Sequence, residues 1–445
     1  MIDASRRRLR VVTSATNLVI HRRFLARLRK LISDSAAQPF KGVCPMSADI
    51  QTHRFSVEYR MVSVFCVLIL SFALRPGIVS IGPVLLHIRH DFGLTYSEAS
   101  LLTSIPDVCM GLFVLCVPGI SRRLGTDRTV LLSLLLLGIA MLLRAVTYST
   151  NLFLFWTMLV GIGIAIAGAL IGGWIKQHFP HESSFFMGIY AGGLSVGATL
   201  AAGTTSYISN AFGSWRFGVG FWFILALSAI ASWLYLTRRF NAALGNTHRQ
   251  DSKTAIALPW FNTRAWLLAI FFGLSQFIAY ACLAWVAPWN SETHASNIPS
   301  GLVLSLFTLL LAAGSFAAGA VAGKSSDRRP WLALGMILTV AGFAGLAFSP
   351  TSFPSAFIVM IAFGQGVCFA LGMTLPLDCT TTASEAHAWT MFVLCVGYMI
   401  AALGPLSFGF LRDWTGGFFG PFRMLLAVSS IMTAMIPLLK RPAPA

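Results

Sequence analysis

Two charged residues stand at depths where charge is costly. Arg75 lies near the middle of the first long apolar run of the chain, and Asp107 lies near the middle of the second, about ten residues from either end at 1.5 Å rise per residue. An arginine at bilayer mid-depth costs ~3 kcal/mol on insertion scales, so its presence asks for a partner. Two partners fit. A guanidinium facing a cavity presents a planar fork of donors to a small carboxylate-like anion, whereas one facing a neighbouring helix bridges it structurally. Pro76 follows directly, removes one helical hydrogen bond and predicts a bend at that depth. Asp107 is the one acidic residue so deep. Desolvation favours its neutral form and a nearby guanidinium its charged form, which is the balance a proton-coupling site needs. A permanent Arg75–Asp107 ion pair is the other reading, and both readings require the first two spans to touch.

Neutral polar groups on other spans extend the candidate set. In the seventh apolar run Gln276 and Tyr280 are spaced i, i+4 and share a face, with Trp285 about a turn beyond, a set able to offer hydrogen bonds and an aromatic wall to a small polar solute. Gln365 in the tenth run and Tyr398 in the eleventh are similar candidates, with interhelical hydrogen bonding as the plainer reading. Arg144 sits near the end of the third run and is expected to snorkel to the interface. At the opposite ends of the runs, Arg122, Arg123, Lys176, Asp327, Arg328, Arg329 and Asp378 are expected as a gating set. They would form charge pairs that lock two bundles when the cavity faces outward, or stay as solvated loop charges. Gly188, Gly192, Gly193 and Gly197 make a small-residue face that permits close helix contact.

Other chemistry finds little support. Cys66, Cys109, Cys116, Cys282, Cys368 and Cys395 lie inside apolar runs without ligand spacing, so neither a disulfide framework nor a zinc site is expected. His178 and His181 flank Pro180 with no Cys or carboxylate constellation of a catalytic kind beside them. No enzymatic activity, cofactor or metal is expected. No filter-like repeat points to a channel.

The elements that must position these residues follow from hydropathy. Hydrophobic residues make up 56% of the chain and charged ones 11%, outside the balance of a soluble domain. Twelve apolar runs of membrane-crossing length can be placed, and stretches such as Val130 to Leu143 are apolar on every face, which satisfies the backbone only as helix. The predicted fold class is all-α membrane, with twelve transmembrane helices in two six-helix bundles. Residues 61–238 form the first bundle and 264–439 the second, joined by a basic linker at 239–263 and followed by a tail at 440–445. Internal similarity supports the division. Asp127-Arg128 after the second run is matched by Asp327-Arg328 after the eighth, and Phe212-Gly213 to Arg216 before the sixth by Phe419-Gly420 to Arg423 before the twelfth.

Alternate connections carry Arg122, Arg123, Arg128, Lys176, Arg238, Arg239, Arg249, Lys253, Arg264, Lys324, Arg328, Arg329, Lys440 and Arg441. The other side carries Arg89, Arg216, Arg412 and Arg423. Cationic loops stay in the cytoplasm, so both termini are expected there, in a multi-pass inner-membrane protein. The excess of Lys and Arg is therefore topological, and no nucleic-acid partner is expected. Residues 1–60 form a basic extension with Arg6, Arg7, Arg8 and Arg10 and an amphipathic stretch from Leu18 to Ile32. It lacks the apolar core of a secretory signal and reads either as a segment lying on the anionic leaflet or as a start-site artefact, with translation beginning at Met46.

Several segments resemble a known group. Leu74-Arg75-Pro76, Ile81-Gly82-Pro83, Leu101-Leu102-Thr103, Met110-Gly111, Ile175-Lys176, Arg264-Ala265-Trp266, Ala284-Trp285, Leu377-Asp378 and Gly404-Pro405 resemble the cyanate and nitroimidazole transporter family of the major facilitator superfamily. The resemblance runs from the first span to the last. It implies secondary active transport of a small, anionic organic solute by alternating access, coupled to protons, in a monomer within the lipid bilayer. The same fold would also serve export of a nitroimidazole-like toxic compound. Some positions depart from the family's pattern. Arg122 stands where the loop after the second span implies an Asp, Gly168 where the fourth span implies a Gln, and Asp107 where an apolar residue is implied. Cyanate itself is therefore not assumed.

Overall fold

The computed structural model describes residues 46–244, 258–322, 327–350, 352–380 and 382–439. The amphipathic stretch from Leu18 to Ile32 lies outside the described residues, as do Arg249, Lys253, Lys324, Lys440 and Arg441. The chain divides into two compact units, Met1–Glu58 and Tyr59–Ala445. In the first, residues 46–58 are helical.

Twelve helices among the described residues are long and apolar enough to cross a membrane. They are α1 (Glu58–Phe92), α2 (Tyr96–Leu124), α3 (Thr126–Val146), α4 (Thr150–His178), α5 (Ser183–Ala211) and α6 (Trp215–Phe240). The second set is α7 (Thr263–Thr293), α8 (Ser300–Ala320), α9 (Arg329–Phe348), α10 (Pro354–Asp378), α11 (Ser384–Thr415) and α12 (Phe419–Leu439). In the first six-helix bundle α3 and α2 pack on α4; in the second α8 and α9 pack on α10, and α7 on α11. The bundles meet along two pairs, α2 with α11 and α5 with α8. Helix α7 is the most enclosed, with 83% of its central window buried, against 33% for α5 and α12, so its residues face protein nearly all round. No charged residue occurs in α7 between Arg264 and Glu292, nor deep in α8 to α11. The interior charges Arg75, Asp107 and Arg144 all belong to the first three helices.

Helix ends are set by local chemistry. Gly93, at φ 64°, stops α1 in the left-handed conformation. Two residues on, Thr95 and Glu98 form a reciprocal capping box that starts α2, satisfying donors the first turn would leave unpaired. Asn262 does similar work for α7, accepting from the N–H groups of Arg264 and Ala265.

Helix α1 is broken at its centre, where Pro76 predicts a bend. It is helical to Leu74, resumes as Pro76–Val79, passes through a 3₁₀ turn at Gly82–Val84 and ends as Leu85–Phe92. Pro76 has no N–H for the carbonyl of Phe72. That carbonyl lies against Gly197 of α5, where a Cβ would come within 2.8 Å of it, so only glycine allows the approach. The N–H of Ile81 donates to Ile78, leaving the Gly77 carbonyl without a main-chain donor in the regular helical pattern. A second interruption divides α11 into Ala383–Ala401 and Leu403–Thr415.

Candidate functional site

Arg75 sits at the break of α1, its backbone bridging the two helical pieces and its carbonyl accepting from Ile78 and Val79. Its guanidinium leaves the first bundle. Nη1 donates to the hydroxyl of Tyr280 on α7 at 3.5 Å, and the side chain is half-buried, retaining surface for a further contact. Tyr398 of α11 and Tyr190 of α5 lie within electrostatic range of the same charge. The Tyr280 and Tyr398 rings meet edge to face at 6.2 Å, and Phe272 meets Tyr398 at 6.1 Å. One cation and three phenol hydroxyls therefore converge from four helices and both bundles. No carboxylate among the described residues forms an ion pair with Arg75.

Tyr190 is a residue that sequence reasoning missed. Its signal was present in the glycine-rich stretch from Gly188 to Gly197, where one large polar side chain stands among small ones. Gly168 of α4 is its neighbour, since a Cβ there would lie in ordinary contact, 3.4 Å from the Tyr190 hydroxyl. The position where family resemblance implies a Gln is thus open, and a tyrosine from α5 lies beside it.

Asp107 is fully buried on α2, and neither carboxyl oxygen has a hydrogen-bond partner among the described residues. Arg75 lies within electrostatic range of it, yet the permanent ion pair is not formed in this conformation. Its helix turn is pressed on α4, where a Cβ on Gly161 would come within 2.6 Å of Pro106 Cα. A buried carboxyl left without hydrogen bonds is costly, which marks it as more than packing.

The remaining candidates divide. Gln276 is 4% exposed and shares the helix face of Tyr280, one turn away. Gln365 is fully buried in the second bundle, accepting from Ser275 at 3.0 Å and donating to Thr339 at 3.4 Å. Its amide is satisfied within its own bundle, which corresponds to the interhelical reading and does not bring it to Arg75. Trp285 is likewise occupied. Its Nε1 donates to the Pro405 carbonyl at 3.1 Å, its ring stacks on Phe408 at 5.7 Å, and Tyr96 covers it from the other bundle. Arg144 does not snorkel to the interface. It is completely buried, and Nη1 donates to the Gly77 carbonyl at 3.0 Å.

On the arginine-rich face, pairs form within the second bundle. Arg328 pairs with Asp378, and Arg329 pairs with Asp327 at 2.9 Å. Arg122 donates to the Pro118 carbonyl of its own helix, while Arg123 and Lys176 are exposed.

The opposite face carries a closure that the sequence reading did not anticipate. Asp413 of α11 accepts from the N–H of Tyr96 at 3.0 Å and of Ser97 at 2.8 Å, capping α2 from the other bundle. Tyr96 donates to Glu292 at 2.6 Å, Arg412 donates to the same carboxylate at 2.9 Å, and the Arg89 and Arg412 guanidinium groups lie 4.0 and 4.6 Å from the Tyr96 ring centre. Backbones touch as well. A Cβ on Gly409 would lie 2.5 Å from the Tyr96 carbonyl, and one on Gly301 of α8 would lie 2.8 Å from the Ala202 carbonyl of α5. Ser305 donates to the Thr199 carbonyl at 2.9 Å beside the second crossing.

Comparison with known proteins adds to this geometry. The family model of the Major Facilitator Superfamily matches residues 63–402. The chain is 30% identical to the cyanate transport protein CynX of Escherichia coli (strain K12) over 345 residues, 78% of this chain and 88% of that protein. It is 27% identical to the 2-nitroimidazole transporter of the same organism, over 86% of this chain and 96% of that one. It is 29% identical to the uncharacterized transporter YycB of Bacillus subtilis (strain 168), over 83% and 90%. Among solved structures, a bacterial homologue of the human lysosomal transporter Spinster superposes with a TM-score of 0.71 at 16% identity, covering 87% of this chain and 99% of that one.

Proposed function

From the premise that this chain belongs to the Major Facilitator Superfamily, as a multi-pass membrane transporter, we propose that it carries a small organic anion by alternating access, with Arg75 holding the solute. The observation that carries the reading is the contact between Arg75 and Tyr280. A cation from one bundle is met by a hydroxyl from the other, without an ion-paired carboxylate, at the depth where both bundles can close on a solute. A planar anion accepting from the guanidinium fork and from phenol hydroxyls fits such a set. The CynX protein of E. coli is named for cyanate, a small anion, which agrees with that class.

Asp107 is the proton site in this reading, buried beside the solute cation without being tied to it. The arginine-rich face is cytoplasmic by the distribution of Lys and Arg, so the conformation closed by Asp413 and Glu292 opens its cavity inward. The gating set on the arginine-rich face would then act in the opposite state, when those ends come together. A plasma-membrane monomer with both termini in the cytoplasm is the setting.

The test is a thermal-shift screen of purified protein against cyanate, small carboxylates and 2-nitroimidazole, repeated with Arg75→Ala and Arg75→Lys. Removing one partner of a buried charged contact costs about 2–5 kcal/mol, so Arg75→Ala should abolish ligand stabilisation at concentrations that saturate the wild type. Arg75→Lys keeps the charge and loses the fork, and should recover only part of it. Undiminished stabilisation and uptake in Arg75→Ala would overturn the binding role.

A further inference from the structure

Arg144 is a cation buried to 0% exposure, and no carboxylate among the described residues pairs with it. Its Nε and Nη2 have no hydrogen-bond partner, and no ion pair reaches it among the described residues. Its one hydrogen bond among the described residues runs from Nη1 to the carbonyl of Gly77, two residues beyond Arg75. A buried arginine without a carboxylate is among the more expensive features of a membrane helix. A packing role would be filled at lower cost by leucine or methionine.

The contacted carbonyl gives the reason. Among the carbonyls that the break in α1 frees from the regular pattern are those of Phe72 and Gly77. Phe72 is covered by the bare backbone of Gly197, and Gly77 is held by Arg144. Gly77 itself is wedged among Val160, Ile164 and Leu137, so the short helical piece Pro76–Val79 is packed against α3 and α4 at this glycine and held by Arg144 on its main chain. Arg75 is the residue at the N-terminus of that piece. The direction in which its guanidinium leaves α1 depends on how that piece is held.

We infer that Arg144 is a positioning residue for the solute site: by bonding the Gly77 carbonyl it fixes the bend of α1, and with it the aim of Arg75 across the gap to Tyr280. The inference rests on Arg75 as the anchor of the solute. Arg144 does not touch the solute and acts through the backbone.

The test uses the full-length protein with Arg144→Met and Arg144→Lys beside the wild type and Arg75→Ala. Hydrogen–deuterium exchange of a peptide spanning residues 76–84 reads the bend without any solute. Uptake of radiolabelled cyanate by proteoliposomes reads KM and maximal rate. Arg144→Met should speed exchange of that peptide about tenfold while peptides of α9 and α10 stay unchanged. It should raise KM several-fold with maximal rate per folded protein little altered, and Arg144→Lys, which can still donate to the carbonyl, should restore both. Unchanged exchange in Arg144→Met overturns the inference, as does faster exchange with an unaltered KM or a loss confined to maximal rate. Where Arg144→Met does not fold, Arg144→Leu, which likewise cannot donate, takes its place under the same criteria. Normal uptake by Arg75→Ala would sink the solute reading instead, while the exchange measurement would still decide whether Arg144 holds the bend.

Discussion

Asp413 of α11 accepts the main-chain N–H of Ser97 at 2.8 Å and its hydroxyl at 2.5 Å, so the first turn of α2 is capped by a residue of the other bundle. Such a cap exists only while this face is closed. Hydrogen bonds to a charged acceptor contribute about 1.5–3 kcal/mol, and Asp413→Asn should give up about half of that, shifting the equilibrium toward the open face roughly tenfold. Spin labels at His90 and Asn297, in a cysteine-depleted background, should show a longer distance population that is minor in the unsubstituted protein. An unchanged distance distribution would count against the cap as part of the closure.

Gly409 tests the same closure by space instead of charge. A methyl group there would lie 2.5 Å from the Tyr96 carbonyl, a distance that neither backbone tolerates, so Gly409→Ala should hold α2 and α11 apart and favour the open state more strongly than Asp413→Asn. Gly417, where a Cβ would meet nothing within 4 Å, is the control, and Gly417→Ala should leave the distances as they are.

The three tyrosines around Arg75 can be stripped of their hydroxyls one at a time. Tyr280→Phe, Tyr398→Phe and Tyr190→Phe should each weaken solute binding roughly five-fold, the equivalent of about 1 kcal/mol for a lost hydrogen bond. Tyr280→Ala, which also removes the ring packed on Tyr398, should weaken it further. Titration calorimetry with cyanate or a small carboxylate makes the measurement. Three wild-type affinities would remove the hydroxyls from the recognition scheme and leave only Arg75.

Asp107→Asn separates coupling from carriage. Under an imposed proton gradient the variant should bring solute only to equilibrium across the vesicle membrane, while exchange of external for internal solute continues at a rate close to normal. Continued gradient-driven accumulation by the variant would show that the proton travels elsewhere.

Much of the architecture was legible because hydropathy is a strong signal over twenty residues. Twelve runs are read from the sequence and twelve spans are present among the described residues, with Arg75 at the centre of the first and Pro76 marking its break. Which face of a span meets the gap between bundles was harder to read. Gln276 and Gln365 look equivalent as letters, yet Gln365 is bonded between Ser275 and Thr339 inside one bundle. Trp285 resembles a cavity wall until the Pro405 carbonyl of α11 is seen to take its N–H. Arg144 resembles an interfacial arginine because it lies two residues from the end of α3, and only the break in α1 supplies the carbonyl that keeps it inside. The closure was illegible for a similar reason. Glu292, Arg412 and Asp413 sit at helix ends where charges are usually solvated, and each also bonds Tyr96 of α2, far away in the chain.

At its two crossings, where Gly409 meets Tyr96 and Gly301 meets Ala202, the shut face brings main chain against main chain, with only the small side chains of Ser100 and Ser206 beside them. A seam made that way has no large side chain to swing aside, so the helices on either side of it can part there only as whole bodies.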